Sequence, residues 1–183
     1  MSKVRSRLPP SFSVTVGTYP TGGSLPAAIF GELASSTVLA PGEFFSGLRK
    51  GVKARLPAAL RTFNSARGRG RLMKLHYARP EFHYEVWHHT GDGRLEIGLH
   101  FEGSREENEQ AFSFFRAHVI EVKAQLPHAE LEPWDRGWSR LYETVRAPQL
   151  DENVLDGAVD RMSDYIVTLQ PLLDHFVGGL GHR

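Results

Sequence analysis

Three consecutive stretches of alternating apolar and polar residues constrain the fold more than any other feature of the chain. They cover residues 72–77, 82–89 and 94–101, and residues 78–81 and 90–93 separate them with proline, glycine and acidic side chains. Alternation with a period of two is typical of strands that bury one face, and short turn-rich connections join antiparallel neighbours. The sequence therefore predicts a three-stranded antiparallel meander.

The register of this meander follows from its two turns. A two-residue turn at Gly91-Asp92 places Phe82 opposite Phe101, and the first hairpin then pairs Tyr77 with Phe82. Both hairpins put apolar side chains on the same face, and a slip of one residue would turn that whole set toward solvent. The predicted apolar face comprises Met73, Leu75, Tyr77, Phe82, Tyr84, Val86, Leu95, Ile97, Leu99 and Phe101.

Apolar residues at helical spacing predict three helices that cover this face. The first begins near Pro41 and is divided at Pro57, the second begins at the capping-box residue Ser104, and the third covers residues 151–177. Two further strands are predicted over residues 129–134 and 138–145. The element order α-β-β-β-α-β-β-α predicts an α+β fold, an antiparallel sheet with helices packed on one face.

The length of 183 residues predicts a single α+β domain over residues 43–183, after an N-terminal extension over residues 1–42. In this extension, residues 12–16 alternate as a short strand does, and Ser24 is placed to cap a short helix. The chain has no cysteine, which excludes disulfides and thiolate metal sites. It also has no apolar stretch of about 20 residues, so we expect a cytoplasmic protein without a membrane partner.

The polar face of the predicted meander carries three histidines in one row. His76, His83 and His100 lie on three adjacent strands, with Glu85 or Glu102 nearby. Since neighbouring strands are about 4.8 Å apart, the three imidazoles are candidate ligands of a zinc or iron ion. The alternative is a half-exposed sheet surface that merely tolerates histidine, because directly opposed side chains on a flat sheet point in parallel whereas ligands converge. No other cofactor is expected.

The two parts of the chain carry opposite charge. Residues 1–79 hold 13 Lys and Arg against two acidic residues, a net charge of +11, and residues 80–183 hold nine against 19, a net charge of −10. Either a polyanion such as nucleic acid binds the basic part, or that part docks on the protein's own acidic residues, among them Asp156, Asp160 and Asp164. The candidate nucleic-acid-binding residues are Arg49, Lys50, Lys53, Arg55, Arg61, Arg67, Arg69 and Arg71.

Familiar catalytic motifs do not occur in the sequence. It contains no nucleophile elbow, Walker A loop, dinucleotide-binding glycine motif or HExxH zinc motif, and we predict no catalytic residue. The first interpretation is a non-catalytic binding or accessory domain that engages a protein or nucleic-acid partner and forms a homo-oligomer. The alternative is a metal-dependent enzyme centred on His76, His83 and His100.

Residues 83–176 resemble an uncharacterised domain family that is often fused to, or encoded beside, restriction-endonuclease-like nucleases. The matching stretches include residues 83–87, residues 95–102 and residues 131–134. Such nucleases need a Glu-x-Lys type pair, whereas Glu96 is followed by Ile-Gly and Glu102 by Gly-Ser. The resemblance therefore implies an accessory role, and it transfers no catalytic residue.

The predicted order of elements is also similar to that of the small dimeric chaperones of type III secretion. This resemblance lies at the level of the fold, and it implies self-association without enzymatic activity. The strongly basic N-terminal third of the chain departs from that largely acidic group.

Overall fold

The computed structural model describes residues 36–68 and 70–180. Six strands form one antiparallel sheet in the order β1-β2-β3-β4-β6-β5. The strands are β1 (Asn64–Arg67), β2 (Leu72–His76), β3 (Phe82–His89), β4 (Arg94–Phe101), β5 (Glu130–Pro133) and β6 (Ser139–Arg146). The four α-helices are α1 (Pro41–Arg55), α2 (Arg105–Ala117), α3 (Val119–Gln125) and α4 (Glu152–Leu180). This architecture confirms the predicted α+β class.

The predicted register of the meander is confirmed at both hairpins. Val86 lies opposite Met73 on one side and Ile97 on the other, and Phe82 lies opposite Phe101. Strand β6 joins the free edge of β4, where Leu141 lies opposite Leu99. The apolar residues of β2, β3, β4 and β6 therefore share one face, as period-two alternation requires.

Helices cover the apolar face of the sheet. The ring of Phe176 in α4 lies 5.8 Å from that of Phe82, and the ring of Phe115 in α2 lies 5.0 Å from that of Phe101. Helix α1 packs against α4 at a glycine, because a Cβ atom on Gly51 would lie 2.6 Å from a methyl carbon of Val159. The helices and the apolar face of the sheet together form one hydrophobic core.

Two elements differ from the sequence-based expectation, and the division predicted at Pro57 is present. Residues 64–67 form β1, a strand that the sequence does not predict. The second predicted helix is two helices, because the chain departs from helical geometry at His118, whose backbone angles are φ −99° and ψ 10°. Helix α1 ends at Arg55, and a single 3-10 turn follows Pro57, as expected where proline removes a backbone donor.

Two predicted elements, the strand over residues 12–16 and the helix after Ser24, lie outside the described residues. The described part begins with a short pairing in which the amide of Leu39 donates to the carbonyl of Leu150, and Val38 lies opposite Asp151. Within residues 36–68 and 70–180, no helix is both long and apolar enough to cross a membrane.

Candidate metal centre

The polar face of the sheet holds a buried group of ionisable residues. Strand register places His83 opposite His100, and Lys74 opposite Glu85. His83 is 1% exposed, Glu85 2% and His100 0%, so this part of the face is not the half-exposed surface that the sequence suggested. Because burying ionisable groups is costly unless each finds a partner, such a group calls for a specific explanation.

Four of these residues can present one ligand atom each toward a common point. The candidate ligand atoms of His83, Glu85, His100 and Glu102 all lie within 4.8 Å of one another. We call these four residues the His–Glu cluster. Two members come from β3, the third from β4, and Glu102 directly follows β4.

The two imidazole rings lie nearly parallel and do not point toward one place by themselves, and the two glutamate side chains complete the cluster. The rings of His83 and His100 stack with their centroids 5.7 Å apart and an angle of 20° between their planes, as expected of opposed residues on neighbouring strands. Glu85 and Glu102 lie two residues along the chain from His83 and His100, on the same face of the sheet. Their longer side chains reach back toward the ring edges and close the cluster.

The spacing of the ligand atoms is close to that of a tetrahedral site. Nε2 of His83 lies 3.5 Å from Oε2 of Glu85 and 3.7 Å from Oε1 of Glu102, and Nδ1 of His100 lies 4.0 Å from Oε1 of Glu102. Ligands about 2.1 Å from one zinc ion lie about 3.4 Å apart in a tetrahedron. These three distances exceed the tetrahedral spacing by at most about 0.6 Å, and the remaining ligand atoms of the cluster lie within 4.8 Å of one another.

Outer partners orient both imidazoles toward this point. Nδ1 of His83 donates to the carbonyl of Pro80 at 2.8 Å, which leaves the lone pair on Nε2 facing the cluster. Nε2 of His100 lies 3.2 Å from Oε1 of Glu96, although the angle falls short of a hydrogen bond, and Nδ1 is the nitrogen nearer Glu102. A carbonyl or carboxylate behind each ring is the usual arrangement around metal-binding histidines.

Several buried atoms of the His–Glu cluster have no hydrogen-bond partner. Nε2 of His83, Oε1 of Glu85 and both ring nitrogens of His100 form no hydrogen bond with any part of the chain that the structure describes. A buried polar atom without a partner costs about 1–3 kcal/mol, and native proteins contain few of them. Nε2 of His100 faces Glu96, and the other three atoms lie where one ligand could contact all of them.

The carboxylate of Glu85 is held in the form that binds metal ions. Burial by itself raises its pKa, but the contact with His83 and the electrostatic interactions with His100 and Lys74 outweigh burial, so that the pKa of Glu85 is lowered. Metal ligands must be deprotonated, and a lowered pKa keeps this carboxylate ionised at neutral pH.

A second ion-pair chain supports the centre from the side of β6. Arg140 donates to Glu96 at 2.7 Å and to Glu132 at 2.6 Å. Burial by itself raises the pKa of Glu96, but the contact with His100 and the charge of Arg140 lower it. The indole ring of Trp134 also contacts His100 edge-on, with centroids 5.2 Å apart. The side chain of His100 is thus fixed from two sides.

Gly98 provides the space in which the centre is built. It lies between Glu85 on β3 and Tyr142 on β6, and a Cβ atom there would lie 2.5 Å from Cβ of Tyr142 and 2.7 Å from the carbonyl oxygen of Leu141. Without a side chain at this position, Glu96 and His100 meet directly above residue 98.

The structure brings together two of the three histidines predicted as metal ligands. His83 and His100 belong to the His–Glu cluster, whereas Nδ1 of His76 lies 3.3 Å from the carbonyl oxygen of Tyr77 and His76 is not a member. Strand β2 ends at His76, and its pairing with β3 ends one residue earlier, at Leu75. Of the three histidines that alternation places in one row, His83 and His100 therefore belong to the His–Glu cluster and His76 does not.

Several of the predicted nucleic-acid-binding residues contact other parts of the chain. Arg55 pairs with Asp160 of α4 at 2.9 Å, and Arg61 donates to carbonyl oxygens at the end of α1. Arg71 contacts Nδ1 of His88. Arg69 and the side chain of Arg67 lie outside the described part of the chain. The remaining three, Arg49, Lys50 and Lys53, are exposed on α1 and have no ion pair with any described residue.

Two grooves lie elsewhere on the described surface. One of about 570 Å³ lies between α2 and the C-terminal end of α4, beside Phe114 and His175. Another of about 440 Å³ lies between α2 and the β5–β6 connection, beside Trp134 and Trp138. Neither groove is lined by a member of the His–Glu cluster.

Sequence reasoning missed the roles of Glu96 and Arg140. Alternation places Glu96 on the polar face, but it does not show that Glu96 contacts His100 across Gly98. Arg140 reaches Glu96 because β6 pairs with β4, and no local pattern predicts that pairing. A glycine within a strand was the available signal, since it often marks a close approach of another group.

Comparisons of the chain with protein-family models, with curated proteins and with solved structures find no match. The two resemblances drawn from the sequence therefore remain predictions.

Proposed function

We propose that this chain is a metal-binding protein whose site is the His–Glu cluster of His83, Glu85, His100 and Glu102. The observation that carries the proposal is the convergence of four potential ligand atoms within 4.8 Å at a place where several buried atoms have no partner among the described residues. The carbonyl of Pro80 behind His83 and the carboxylate of Glu96 near His100 support the same assignment.

The chemistry of the donor set favours zinc or ferrous iron. Imidazole nitrogens suit zinc, iron, copper and nickel, whereas sites for magnesium and calcium consist of oxygen atoms. Two imidazoles and two carboxylates give the cluster a charge of −2 with neutral histidines, which a divalent ion balances.

A non-catalytic role follows from the number of ligands. Four protein ligands complete a tetrahedral shell, as in structural zinc sites, whereas catalytic sites keep one position for water or substrate. The proposal therefore agrees with the binding or accessory role favoured by the sequence. It also replaces the candidate enzyme centre of His76, His83 and His100 by a different set of residues.

Metal analysis of the purified protein tests the proposal. The protein is stripped with a chelator and then titrated with Zn²⁺, and with Fe²⁺ under anaerobic conditions, while calorimetry records stoichiometry and affinity. We expect one ion per chain. Cobalt substitution should give the intense visible bands of a four-coordinate ion.

Matched variants assign the ligands. His83→Ala and the nearly isosteric Glu85→Gln should each weaken binding by at least about tenfold. His76→Ala alters a histidine on the same strand face that lies outside the His–Glu cluster, and it should bind as the wild type does. Circular dichroism checks that each variant is folded. No stoichiometric binding by the wild type, or equal losses in His76→Ala and Glu85→Gln, would contradict the proposal.

A second candidate function, binding of a polyanion, rests on the exposed cations of α1. Arg49, Lys50 and Lys53 lie within four residues on one helix and have no ion pair among the described residues. Phosphate contacts of this kind give salt-dependent binding without sequence specificity. We expect DNA to bind the wild type at low salt, and the triple variant with alanine at these positions to bind less.

Affinity for DNA should fall as salt rises, because bound phosphates release counterions. Lys123→Ala on α3 is the matched control, since it removes an exposed lysine at a distance from this patch. Equal binding by the wild type and the triple variant would remove this candidate.

Cytoplasmic location and self-association remain predictions from the sequence. Light scattering of the purified protein tests self-association.

A further inference from the structure

The side chain of Lys74 lies at the edge of the His–Glu cluster and contacts both of its carboxylates. Its Nζ atom lies 2.9 Å from Oε2 of Glu102 and 3.4 Å from Oε2 of Glu85. Strand pairing fixes this position, because Lys74 lies directly opposite Glu85. One ammonium group is therefore shared by two carboxylates that are also candidate metal ligands.

A metal ion would need carboxylate groups that Lys74 already holds. An ion bound by all four cluster residues draws electron density from Glu85 and Glu102 and places two positive charges within a few ångströms of the ammonium group. Like charges at such a distance repel strongly where water is largely excluded. Lys74 and the metal ion are thus competitors for the same pair of anions.

The exposure of the side chains shows where the centre meets solvent. The side chains of His83, Glu85 and His100 are at most 2% exposed, but that of Glu102 is 16% exposed and that of Lys74 is 29% exposed. Lys74 therefore lies on the side from which an ion can reach the ligands. A lysine suits this position, because its flexible four-carbon stem can carry the ammonium group into water when the carboxylates are taken.

We propose that Lys74 is an internal counter-cation, which neutralises Glu85 and Glu102 in the protein without metal and is displaced outward when the metal ion binds. The competition lowers metal affinity and makes uptake reversible. This inference rests on the proposed metal-binding function and adds to it a residue that sets the affinity of the site.

The test compares Zn²⁺ affinity in Lys74→Met and in the wild type. Removal of the competing charge should tighten Zn²⁺ binding by at least about tenfold. The same variant should melt at a lower temperature than the wild type in the presence of a chelator, because the buried carboxylate of Glu85 and the partly exposed one of Glu102 then lose their counter-cation. Higher affinity together with lower metal-free stability is a signature that simple loss of packing does not produce.

Two controls separate charge from side-chain size. Lys74→Arg keeps the positive charge and should gain no affinity, and Lys53→Met on α1 should bind Zn²⁺ as the wild type does. If the wild type binds neither Zn²⁺ nor Fe²⁺, the proposed function fails and this inference fails with it. If the wild type binds one ion and Lys74→Met binds no more tightly, the proposed function stands and the role of Lys74 is overturned.

Discussion

At the scale of single residues, Gly98 is the position on which the polar face depends most. A Cβ atom at this position would meet main-chain atoms of β6, namely the carbonyl oxygen of Leu141 and Cα of Tyr142, both at 2.7 Å. Backbone atoms in a central strand cannot move aside as the end of a long side chain can. Alanine at position 98 therefore has to push β4 and β6 apart.

We expect Gly98→Ala to lower the free energy of unfolding by about 1–3 kcal/mol, the usual cost of overpacking. Chemical denaturation followed by circular dichroism measures the change. Gly91→Ala is the matched control, since nothing lies within 4 Å of a Cβ atom at this turn position. Wild-type stability in Gly98→Ala, or an equal loss in both variants, would show that the close approach of the strands is not a constraint.

The sequence placed some residues of the centre correctly and missed others for identifiable reasons. Alternation alone puts His83, Glu85 and His100 on one face, because their positions follow from strand register. It cannot show that β2 stops at His76. Nor can it show that Glu102, just beyond the end of β4, turns back toward the rings. Both features depend on how strands end, and strand ends are set by tertiary contacts.

At the scale of elements, the N-terminus of α2 contains an acidic residue with several partners. The side chain of Glu107 accepts hydrogen bonds from the backbone amide and the hydroxyl of Ser104, which confirms the predicted capping box. It also pairs with Arg79, which precedes β3, at 2.8 Å. The backbone hydrogen bond from Ser104 and the hydrogen bond from Arg79 lower the pKa of Glu107.

A lowered pKa in the folded state makes the contribution of Glu107 depend on pH. The contribution is complete above the pKa of the unfolded chain, about 4.3, and is lost as pH falls through the lower folded value. We expect Glu107→Gln to be less stable than the wild type at pH 7, by under about 1 kcal/mol because the pair is solvent-screened. The difference should shrink below about pH 4, where the wild-type carboxyl also becomes protonated.

Denaturation of both proteins between pH 3 and pH 7 measures this difference. Glu121→Gln on α3 serves as a control, since Glu121 is exposed and forms no ion pair with any residue that the structure describes. A difference between the wild type and Glu107→Gln that widens toward low pH would show that the carboxylate is not stabilised in the folded state.

Elements with a clear period of apolar residues could be predicted from the sequence. Elements that form through contacts with distant parts of the chain could not. The register of the β3–β4 hairpin is as predicted, although the residue with positive φ in its turn is Gly93 rather than Gly91 or Asp92. Strand β1 has no apolar alternation, and it forms because its backbone pairs with the edge of β2. No proline or glycine marks the break between α2 and α3 at His118, so the sequence does not predict it. A ring nitrogen of His118 contacts the carbonyl oxygen of Phe114 at this break.

At the scale of the whole molecule, the order of the strands decides where the centre lies. Strand β6 separates β5 from β4, so that Arg140 of β6 lies beside His100. The sequence predicts that two strands follow the second helix, but their place in the sheet depends on long-range pairing. The apolar face and its helices form the core, while the polar face of the same central strands carries the His–Glu cluster. Stability and the proposed metal binding are thereby linked through β3 and β4.

This link predicts that metal binding stabilises the entire domain. A ligand that binds only the folded state adds about 2.7 kcal/mol at a free concentration 100 times its dissociation constant. For a domain of this size we therefore expect the melting temperature to rise by roughly 5–10 °C when Zn²⁺ is added to chelator-treated protein. The melting temperature of His83→Ala should not rise when Zn²⁺ is added, whereas that of His76→Ala should rise as much as that of the wild type. A rise of equal size in His83→Ala would place the bound ion elsewhere, because a centre without that imidazole loses one of its four ligands.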